Sequence, residues 1–330
     1  MTRLYLIRHC EAYGNIHRRL DGVRDTDITA LGEKQIGYLA DRFRTIPMTA
    51  VYSSGLVRAV KTAAGIAAVT GVAHTKIAEL HEREMGIFEG TSWYEVKAVY
   101  PEVFHAWQAD FNGFVLPGGE SSRGGGERLA ACLNHLCKEN KGGTIAVVSH
   151  SMVIKAFLEA LQGGRSVPFG NNTAVSCMDV SDGKYTVRYI NDDSHLPEEI
   201  RIGRQRWAKG GAKLEDYSLR YAYEYGSEPR CTVCGRDAVC VRAYEHDMPV
   251  GRMTFRPHGE TVDVEDLYVQ PGFRRQGFAT QLVGEAMYSA KRLGCRQLRL
   301  AVPQFDEATA GLIHKNGLLT MGNFAYILCI

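Results

Sequence analysis

The chain has 330 residues, about twice the usual size of one domain, so its length predicts two domains. Hydrophobic residues make up 45% and charged residues 23%, which excludes a disordered chain, a collagen and a coiled-coil rod. The formal net charge of +2 argues against a nucleic-acid partner, and no apolar run is long enough to span a bilayer.

The first part of the chain alternates strand patterns with helix patterns. Continuous apolar runs of strand length occur at Leu4–Ile7, Ala50–Tyr52 and Thr144–Val148. Apolar residues recur at helical spacing over Thr29–Phe43, and further helix patterns begin near Leu56 and after Met152. This alternation predicts an α/β domain with a doubly wound, mostly parallel sheet over residues 1–198.

Residues 199–215 interrupt this alternation and predict a linker. They are rich in charge and contain a Gly pair, and we interpret the basic run within them as a solvated face rather than an anion site. Residues 216–330 predict a second, mixed α/β domain. Its predicted elements are a hairpin of Val239–Tyr244 and Val250–Phe255, a strand at Val262–Val269, a helix ending near Gly294, a strand at Gln297–Val302, a helix at Glu307–Lys315 and a strand at Phe324–Leu328.

Basic side chains follow three predicted strands of the first domain. Arg8 and His9 come directly after the first strand, Arg58 lies just beyond the second, and His150 follows the third. Ligands bind beyond the carboxyl ends of strands in an open α/β sheet, so these groups are expected to converge. Guanidinium groups bind phosphate oxygens in a bidentate manner, and a neutral imidazole can attack phosphorus. The pattern predicts a phosphoryl-binding site.

Six sequence blocks in this domain carry a more specific signal. In chain order they are LIRHCEAYGN, DTDITALGEKQ, YSSGLVRAVKTA, LHEREMGIFEG, PGGES and VVSHSMVIKAF. Together they resemble the histidine phosphatase (phosphoglycerate mutase-like) superfamily. The resemblance implies that His9 is the nucleophile and forms a phosphohistidine. It further implies that Arg8, Arg58 and His150 hold the phosphoryl oxygens. Asn15 is implied as an additional polar group of the phosphate pocket.

The resemblance also implies an acid/base carboxylate and a reaction class. Glu82 matches the proton donor to the leaving oxygen, which then deprotonates water, while Glu84 and Glu89 are nearby alternatives. No metal is implied, because the arginines supply the positive charge. The segment between Phe88 and Gly118 is short, which favours a phosphatase acting on a small phosphorylated metabolite over a mutase. A phosphoprotein phosphatase remains an alternative.

Three positions depart from the usual pattern of that family. Cys10 and Ser151 stand where glycine is usual after each histidine, and Gly55 stands where proline is usual. Cys10 is expected to narrow the pocket or to make it sensitive to oxidation. None of these departures removes a catalytic group.

A second motif lies between the strand at Val262–Val269 and the helix that follows it. Arg274, Gly277 and Ala279 match R-x-x-G-x-A, which resembles the pyrophosphate loop of the GNAT acetyltransferases. The resemblance implies acetyl-CoA as co-substrate, a small amine or protein amine as acceptor, and Glu265 as a possible base. The implied acetyl-CoA-binding residues are Leu267, Tyr268, Val269, Arg274, Arg275, Gln276, Gly277, Phe278, Ala279 and Thr280.

The late helix of this domain departs from the family pattern. Aligned on Gly317, the chain has Asp306, Thr309 and Ile313 where the family has Asn, Ala and Tyr, so the phenol that protonates CoA thiolate is missing. His314 is adjacent but lies about 100° around the helix. Two hypotheses therefore stay open for the whole chain: a bifunctional phosphatase and acetyltransferase, or a phosphatase with a catalytically silent CoA-binding regulatory domain.

The nine cysteines are scattered and odd in number, which is typical of a reducing compartment. Because the first residues lack the long apolar core of a secretory signal, we expect a cytoplasmic protein. Cys231, Cys234 and Cys240, with His246 as a fourth ligand, could form a zinc site. We interpret them as ordinary thiols and expect no metal.

Overall fold

The computed structural model describes residues 1–93, 95–201, 219–225, 238–245, 247–301, 307–322 and 325–329. The chain divides into two compact units. The first comprises Met1–Tyr13, Leu20–Gly90 and Glu102–Gly210, and the second comprises Gly14–Arg19, Thr91–Pro101 and Gly211–Ile330. Most of the predicted linker lies outside the described residues, so the domain limits at 198 and 216 stay predictions.

The first unit is built on a six-stranded sheet in the order β3-β2-β4-β1-β5-β6. The strands are β1 (Thr2–Arg8), β2 (Ala50–Ser53), β3 (His74–Lys76), β4 (Thr144–Ser149), β5 (Val175–Ser181) and β6 (Lys184–Asp192). Pairing is parallel from β3 to β1 and antiparallel for β5 and β6. The prediction of a doubly wound, mostly parallel sheet is confirmed.

Helices cover both faces of this sheet. Apolar residues of the central strands alternate between two cores, with Leu4 and Leu6 in one and Tyr5 and Ile7 in the other. The helices between residues 1 and 161 are α1 (Tyr13–Ile16), α2 (Ala30–Phe43), α3 (Val57–Thr70), α4 (Val96–Val99), α5 (Pro101–Ala109), α6 (Ser122–Glu139) and α7 (Ser151–Leu161). Most of α1 and all of α4 belong to the second unit, and α2, α3, α6 and α7 cover the sheet. Leu39 of α2 and Ile66 of α3 join the Ile7 core, whereas α6 and α7 supply the Leu4 core.

The second unit is built on a seven-stranded mixed sheet in the order β12-β13-β11-β10-β9-β8-β7. Its strands are β7 (Arg220–Tyr225), β8 (Val239–Glu245), β9 (Met248–His258), β10 (Thr261–Val269), β11 (Gln297–Ala301), β12 (Leu319–Gly322) and β13 (Ala325–Cys329). It also contains the helices α8 (Phe278–Arg292) and α9 (Glu307–Asn316). The predicted hairpin is β8–β9, and the sequence patterns missed β7 and β12.

Strand β10 changes its pairing along its length. Its parallel register with β11 ends at Val264 opposite Leu300, whereas its antiparallel register with β9 continues to Val269. A β-bulge interrupts the β9 pairing between Val264 and Asp266. In the part of the chain that the structure describes, the second half of β10 therefore pairs on one side only.

Within the described ranges, none of the helices combines the length and the apolar character that crossing a membrane requires.

Candidate active site

His9 follows β1 and is buried, with 3% of its surface exposed. Its Nδ1 atom lies 2.6 Å from the carbonyl oxygen of Cys10. A carbonyl can only accept a hydrogen bond, so the neutral ring carries its proton on Nδ1 and leaves the Nε2 lone pair open. Burial lowers the pKa of His9 well below its usual range, and the positive charges of Arg58 and Arg8 lower it further. The ring is therefore neutral, with an unprotonated Nε2 atom of the kind that nucleophilic attack requires.

His150 follows β4 and lies beside His9. Because β1 and β4 are parallel neighbours, with Arg8 opposite Ser149, the two histidines follow adjacent strand ends. Their ring centroids are 5.1 Å apart. The Nε2 atom of His150 lies 2.7 Å from the hydroxyl of Ser54, which follows β2. The Nδ1 atom is buried and has no hydrogen-bond partner among the described residues. That nitrogen is open to a ligand and would donate to it in the tautomer that carries the proton there.

The ring of His150 is neutral for the same reasons as that of His9. Burial is the main cause that lowers the pKa of His150 well below its usual range, followed by the charge of Arg58 and contributions from His9, His81 and Arg8. In the tautomer with its proton on Nδ1, His150 accepts a hydrogen bond from the Ser54 hydroxyl at Nε2, whereas in the other tautomer Nε2 donates to that hydroxyl. No sequence pattern predicted this contact of Ser54.

Both guanidinium groups near the histidines are anchored by backbone carbonyls. Arg58, on α3, is 4% exposed and donates to the carbonyls of Gly22 at 2.8 Å and Arg24 at 2.9 Å. Arg8, at the end of β1, donates to the carbonyl of Gly170 at 2.7 Å. Both charges lower the pKa of both histidines, so the four side chains that the strand ends predicted share one electrostatic environment.

The carboxylate of Glu82 lies against the N-terminus of α7, the helix that follows His150. Glu82 is 7% exposed, and its carboxylate accepts hydrogen bonds from the N–H groups of Met152 and Val153 at 3.2 Å. Glu84 is exposed, and Glu89 accepts from the N–H groups of Val23 and Met85 at 3.1 Å. Among the three candidate acids, the described contacts connect Glu82 to the helix that follows His150.

The side chain of Cys10 is fully buried and has no contact with solvent. Its N–H donates to the hydroxyl of Thr62 at 3.0 Å, and burial raises the pKa of the Cys10 thiol to about 12. Because the thiolate is the reactive form of cysteine, this environment argues against the expected sensitivity to oxidation.

A short turn before β5 supports the backbone of His9. The N–H of Thr173 lies 3.1 Å from the carbonyl of Arg8 and 3.3 Å from that of His9, and the Asn172 amide donates to the His9 carbonyl at 3.1 Å. Thr173 has φ 62°, a strained conformation for a β-branched residue. The sequence patterns missed both residues. Asn15 lies in α1, and its implied phosphate contact stays a prediction.

The predicted acetyl-CoA loop connects β10 to α8. A 3₁₀ turn at Pro271–Phe273 is followed by Arg275 with φ 61° and by Gly277 with φ 94° at the N-cap of α8. Arg274 donates through Nε to the carbonyl of Val269 at 3.0 Å, which ties the loop to the end of β10. The first N–H groups of a helix have no partner within it, so the start of α8 can bind an anion.

The candidate acetyl-transfer groups of this unit are less complete. Glu265, at the bulge of β10, is exposed and its carboxylate lies 2.8 Å from Nε of Arg256 on β9. Ile313 is buried in α9, whereas His314 is exposed. Asp306 lies outside the described residues.

The candidate zinc ligands Cys231, Cys234 and His246 also lie outside the described residues. Cys240 is buried in β8. In the ranges that the structure describes, no group of three or more His, Cys, Asp and Glu side chains could hold a metal ion.

Comparisons with known proteins agree with both motifs. The model of the histidine phosphatase superfamily (branch 1) matches residues 4–193, and the model of the acetyltransferase (GNAT) family matches residues 204–318. Phosphoglycerate mutase-like protein 4 of Arabidopsis thaliana is 32% identical over 60% of this chain and 88% of its own length. Phosphoserine phosphatase 1 of Hydrogenobacter thermophilus is 30% identical over 60% of this chain and 96% of its own.

Solved structures show the same fold in the N-terminal part of the chain. Bacillus stearothermophilus YhfR has a TM-score of 0.55 and 27% identity, covering 59% of this chain and 99% of that one. The alpha-ribazole phosphatase of Shigella flexneri has a TM-score of 0.52 and 25% identity, covering 58% and 96%. The chain belongs to the histidine phosphatase superfamily, branch 1, and carries a GNAT acetyltransferase domain after its phosphatase domain.

Proposed function

We propose that the N-terminal domain hydrolyses small phosphomonoesters through a phosphohistidine on His9. The observation that carries the proposal is the pair of buried, neutral imidazoles with centroids 5.1 Å apart, next to the charges of Arg8 and Arg58. This set offers one nucleophilic nitrogen and several donors to one oxyanion. Asn15 is included as a further phosphate-binding residue on the family resemblance alone.

Substrate binding uses the cations and the open imidazole donor. Arg8 and Arg58 neutralise the phosphate charge and donate hydrogen bonds to its oxygens. With its proton on Nδ1, His150 donates a hydrogen bond to another phosphoryl oxygen. The carbonyls that anchor the two guanidinium groups fix their orientation before the substrate arrives. Preorganised donors of this kind stabilise charge that develops in the transition state.

The reaction proceeds in two displacements at phosphorus. In the first, Nε2 of His9 forms a bond to phosphorus while the ester P–O bond breaks, and Glu82 gives its proton to the leaving oxygen. In the second, Glu82 takes a proton from water, the water oxygen bonds to phosphorus and the N–P bond breaks. Inorganic phosphate leaves, and His9 returns to its neutral form.

Two relatives support hydrolysis of a small metabolite. The Hydrogenobacter thermophilus relative is named a phosphoserine phosphatase, and an Arabidopsis thaliana relative with 31% identity is named a metal-independent phosphoserine phosphatase. These names favour a small phosphorylated metabolite as substrate, water as acceptor and catalysis without a metal. The arginines would supply the positive charge that a metal supplies elsewhere.

For the C-terminal domain we propose acetyl-CoA binding and transfer of the acetyl group to an amine. The one-sided pairing of β10 and the left-handed Gly277 at the start of α8 support binding of the pantetheine arm and pyrophosphate. The implied contacts run over 267–269 and 274–280. Glu265 would accept the amine proton directly or through water, after separating from Arg256.

Because the usual tyrosine is absent, we also propose a second function for this domain, binding of acetyl-CoA without acetyl transfer. With Ile313 buried at the position of the usual tyrosine, the domain has no side chain there to protonate the CoA thiolate. A domain that binds acetyl-CoA without turnover would act as a regulatory module. A CoA-release assay over a panel of amines, together with calorimetric binding of acetyl-CoA, separates the two: binding without release with any amine favours the module.

The phosphatase proposal is tested with a panel of phosphomonoesters read by release of inorganic phosphate. His9→Ala is expected to abolish release, whereas His135→Ala, which alters an exposed histidine on α6, serves as the matched control. EDTA is expected to leave the rate unchanged. Stoichiometric transfer of the phosphoryl group to a second substrate, with negligible release of phosphate, would overturn the proposal in favour of a mutase.

A further inference from the structure

The carboxylate of Glu82 is surrounded by hydrogen-bond donors of two kinds. Oε1 accepts from the N–H groups of Arg83 at 2.9 Å and Val153 at 3.2 Å. The N–H of Met152 lies 3.2 Å from each of the two oxygens. Oε2 also lies 3.2 Å from Oγ of Ser151. Backbone donors therefore dominate at Oε1, and a side-chain hydroxyl contacts Oε2.

The backbone donors stabilise the ionised carboxylate, and in the protonated carboxyl they stay satisfied only at the oxygen that carries no proton. Met152 and Val153 lie in the first turn of α7, where N–H groups have no intrahelical partner and the helix dipole favours negative charge. An N–H group donates and cannot accept. A proton on Glu82 is therefore best carried by Oε2, the oxygen with fewer N–H contacts.

The hydroxyl of Ser151 differs from these donors because it can donate and accept. It donates to Oε2 when the carboxylate is ionised, and after rotation it accepts from Oε2–H when the carboxyl is protonated. The proposed reaction needs Glu82 in both states. Family members usually have glycine at this position, so this chain adds a partner that follows the carboxyl through both states.

We infer that Ser151 is a positioning residue for Glu82, holding Oε2 in place whether or not it carries the proton. This inference rests on the proposed phosphatase reaction. In the first displacement the proton leaves Oε2 for the leaving oxygen, and the Ser151 hydroxyl turns to donate to the new carboxylate. In the second, Oε2 takes a proton from water and the hydroxyl turns back to accept. Ser151 acts through Glu82 and has no contact of its own with phosphorus.

The test compares Ser151→Ala, Ser151→Gly and Ser151→Thr on two substrates, an alkyl phosphomonoester that the wild type turns over and p-nitrophenyl phosphate. Loss of the hydroxyl is expected to lower kcat/KM for the alkyl ester by about 3- to 10-fold, as for one hydrogen bond to a charged group, with KM unchanged. The threonine variant keeps the hydroxyl and is expected to recover most of this loss. p-Nitrophenolate leaves without a proton, so its kcat/KM should change by less than about 2-fold.

The difference between the two substrates gives a readout that a purely structural role would not produce, because only the alkyl ester needs a proton from Glu82 as its leaving oxygen departs. The glycine variant gives the same readout if the alanine variant does not fold.

A double-mutant cycle with Glu82→Gln completes the test. If Ser151 acts through Glu82, Ser151→Ala should cause no further loss of kcat/KM in the Glu82→Gln background. Equal losses on both substrates, or full additivity in the cycle, would overturn the inference. A wild-type chain without His9-dependent phosphate release would instead overturn the proposed function, so the two failures are distinguishable.

Discussion

The carbonyl oxygen of Cys10 lies 2.6 Å from Nδ1 of His9 and thereby selects the tautomer of the ring. A neutral imidazole has one protonated and one unprotonated nitrogen, and this contact assigns the proton to Nδ1. The Nε2 lone pair is left unprotonated, as the proposed attack at phosphorus requires. Cys10 thus contributes through its backbone rather than through its thiol.

The neutral state of this ring gives a prediction about pH. The pKa of His9 is lowered mainly by burial and then by Arg58 and Arg8, so the ring should stay neutral well below its ordinary value of 6.5. NMR titration of the histidine ring nitrogens measures this. Arg58→Gln is expected to raise the pKa of His9, because one of the repelling charges is removed. A ring that titrates near 6.5 in the wild type would contradict the electrostatic account.

The same lowered pKa values predict how stability depends on pH. Below about pH 6.5, His9 and His150 are protonated in the unfolded chain but stay neutral in the folded chain. Because the unfolded state then binds more protons, the free energy of unfolding falls as the pH falls. Urea unfolding of the apo protein at pH 7 and pH 5 checks the sign. A protein equally stable at both values would show that these rings do not resist protonation.

Gly22 is predicted to be intolerant of a side chain. It has φ 51°, and an added Cβ would lie 2.1 Å from Oε1 of Glu89. Its carbonyl also holds Arg58. Gly22→Ala should cost about 1–2 kcal/mol of folding free energy from the left-handed backbone alone. It should also raise KM several-fold by moving the Arg58 anchor. Enzyme kinetics and chemical unfolding measure the two effects.

Gly55 provides the matched control for that substitution. Nothing lies within 4 Å of a Cβ added there, and its backbone needs no left-handed conformation. Gly55→Ala is expected to change stability by no more than about 0.5 kcal/mol. If Gly22→Ala and Gly55→Ala changed KM equally, the Gly22 carbonyl would not be the anchor that positions Arg58 for substrate.

Cys10 is predicted to be chemically inert in the folded protein. Its thiol is fully buried and has a pKa of about 12, so little thiolate forms at neutral pH. A thiol-reactive dye should label Cys10 only after unfolding, and mild peroxide should leave phosphatase activity unchanged. Rapid native labelling of Cys10, mapped by mass spectrometry, would contradict this.

Gly277 is predicted to be essential for acetyl-CoA binding. Its φ of 94° starts α8 in a conformation that alanine adopts poorly. Gly277→Ala should weaken acetyl-CoA binding by about 10-fold, because realigning this turn costs about 1–2 kcal/mol. Gly272→Ala, in the same loop with open space around its Cβ, is the control. Calorimetric titration measures the affinity of each variant for acetyl-CoA. Identical affinities of Gly277→Ala and Gly272→Ala would show that the conformation of Gly277 does not contribute to acetyl-CoA binding.

The groups that sequence patterns identified best are those that follow strands. Apolar runs locate the parallel strands, and Arg8, His9 and His150 come directly after two of them. No comparable pattern exists for Ser54, whose contact with His150 depends on how the ends of β2 and β4 meet in space. The backbone propensity of threonine would not predict the conformation of Thr173, because a β-branched residue is rarely found with positive φ.

The sheet edges show the same limit. The central strands of the second unit carry regular apolar patterns and were predicted, whereas the edge strands β7 and β12 were not. Leu319 and Met321 of β12 are exposed, so this strand lacks the buried positions that produce a readable alternation. A regular apolar alternation arises where a strand buries one of its faces, and an edge strand buries fewer side chains.

The central claim is that the phosphoryl group passes through His9, and trapping the intermediate tests it most directly. Wild-type protein mixed with a labelled phosphomonoester and quenched in alkali, which preserves the N–P bond, should carry label on His9, identified by mass spectrometry. His9→Asn should carry none and should release phosphate at least about 1000-fold more slowly, because the covalent route has lost its nucleophile. Phosphate release at the wild-type rate by His9→Asn, or label on another residue, would contradict the account.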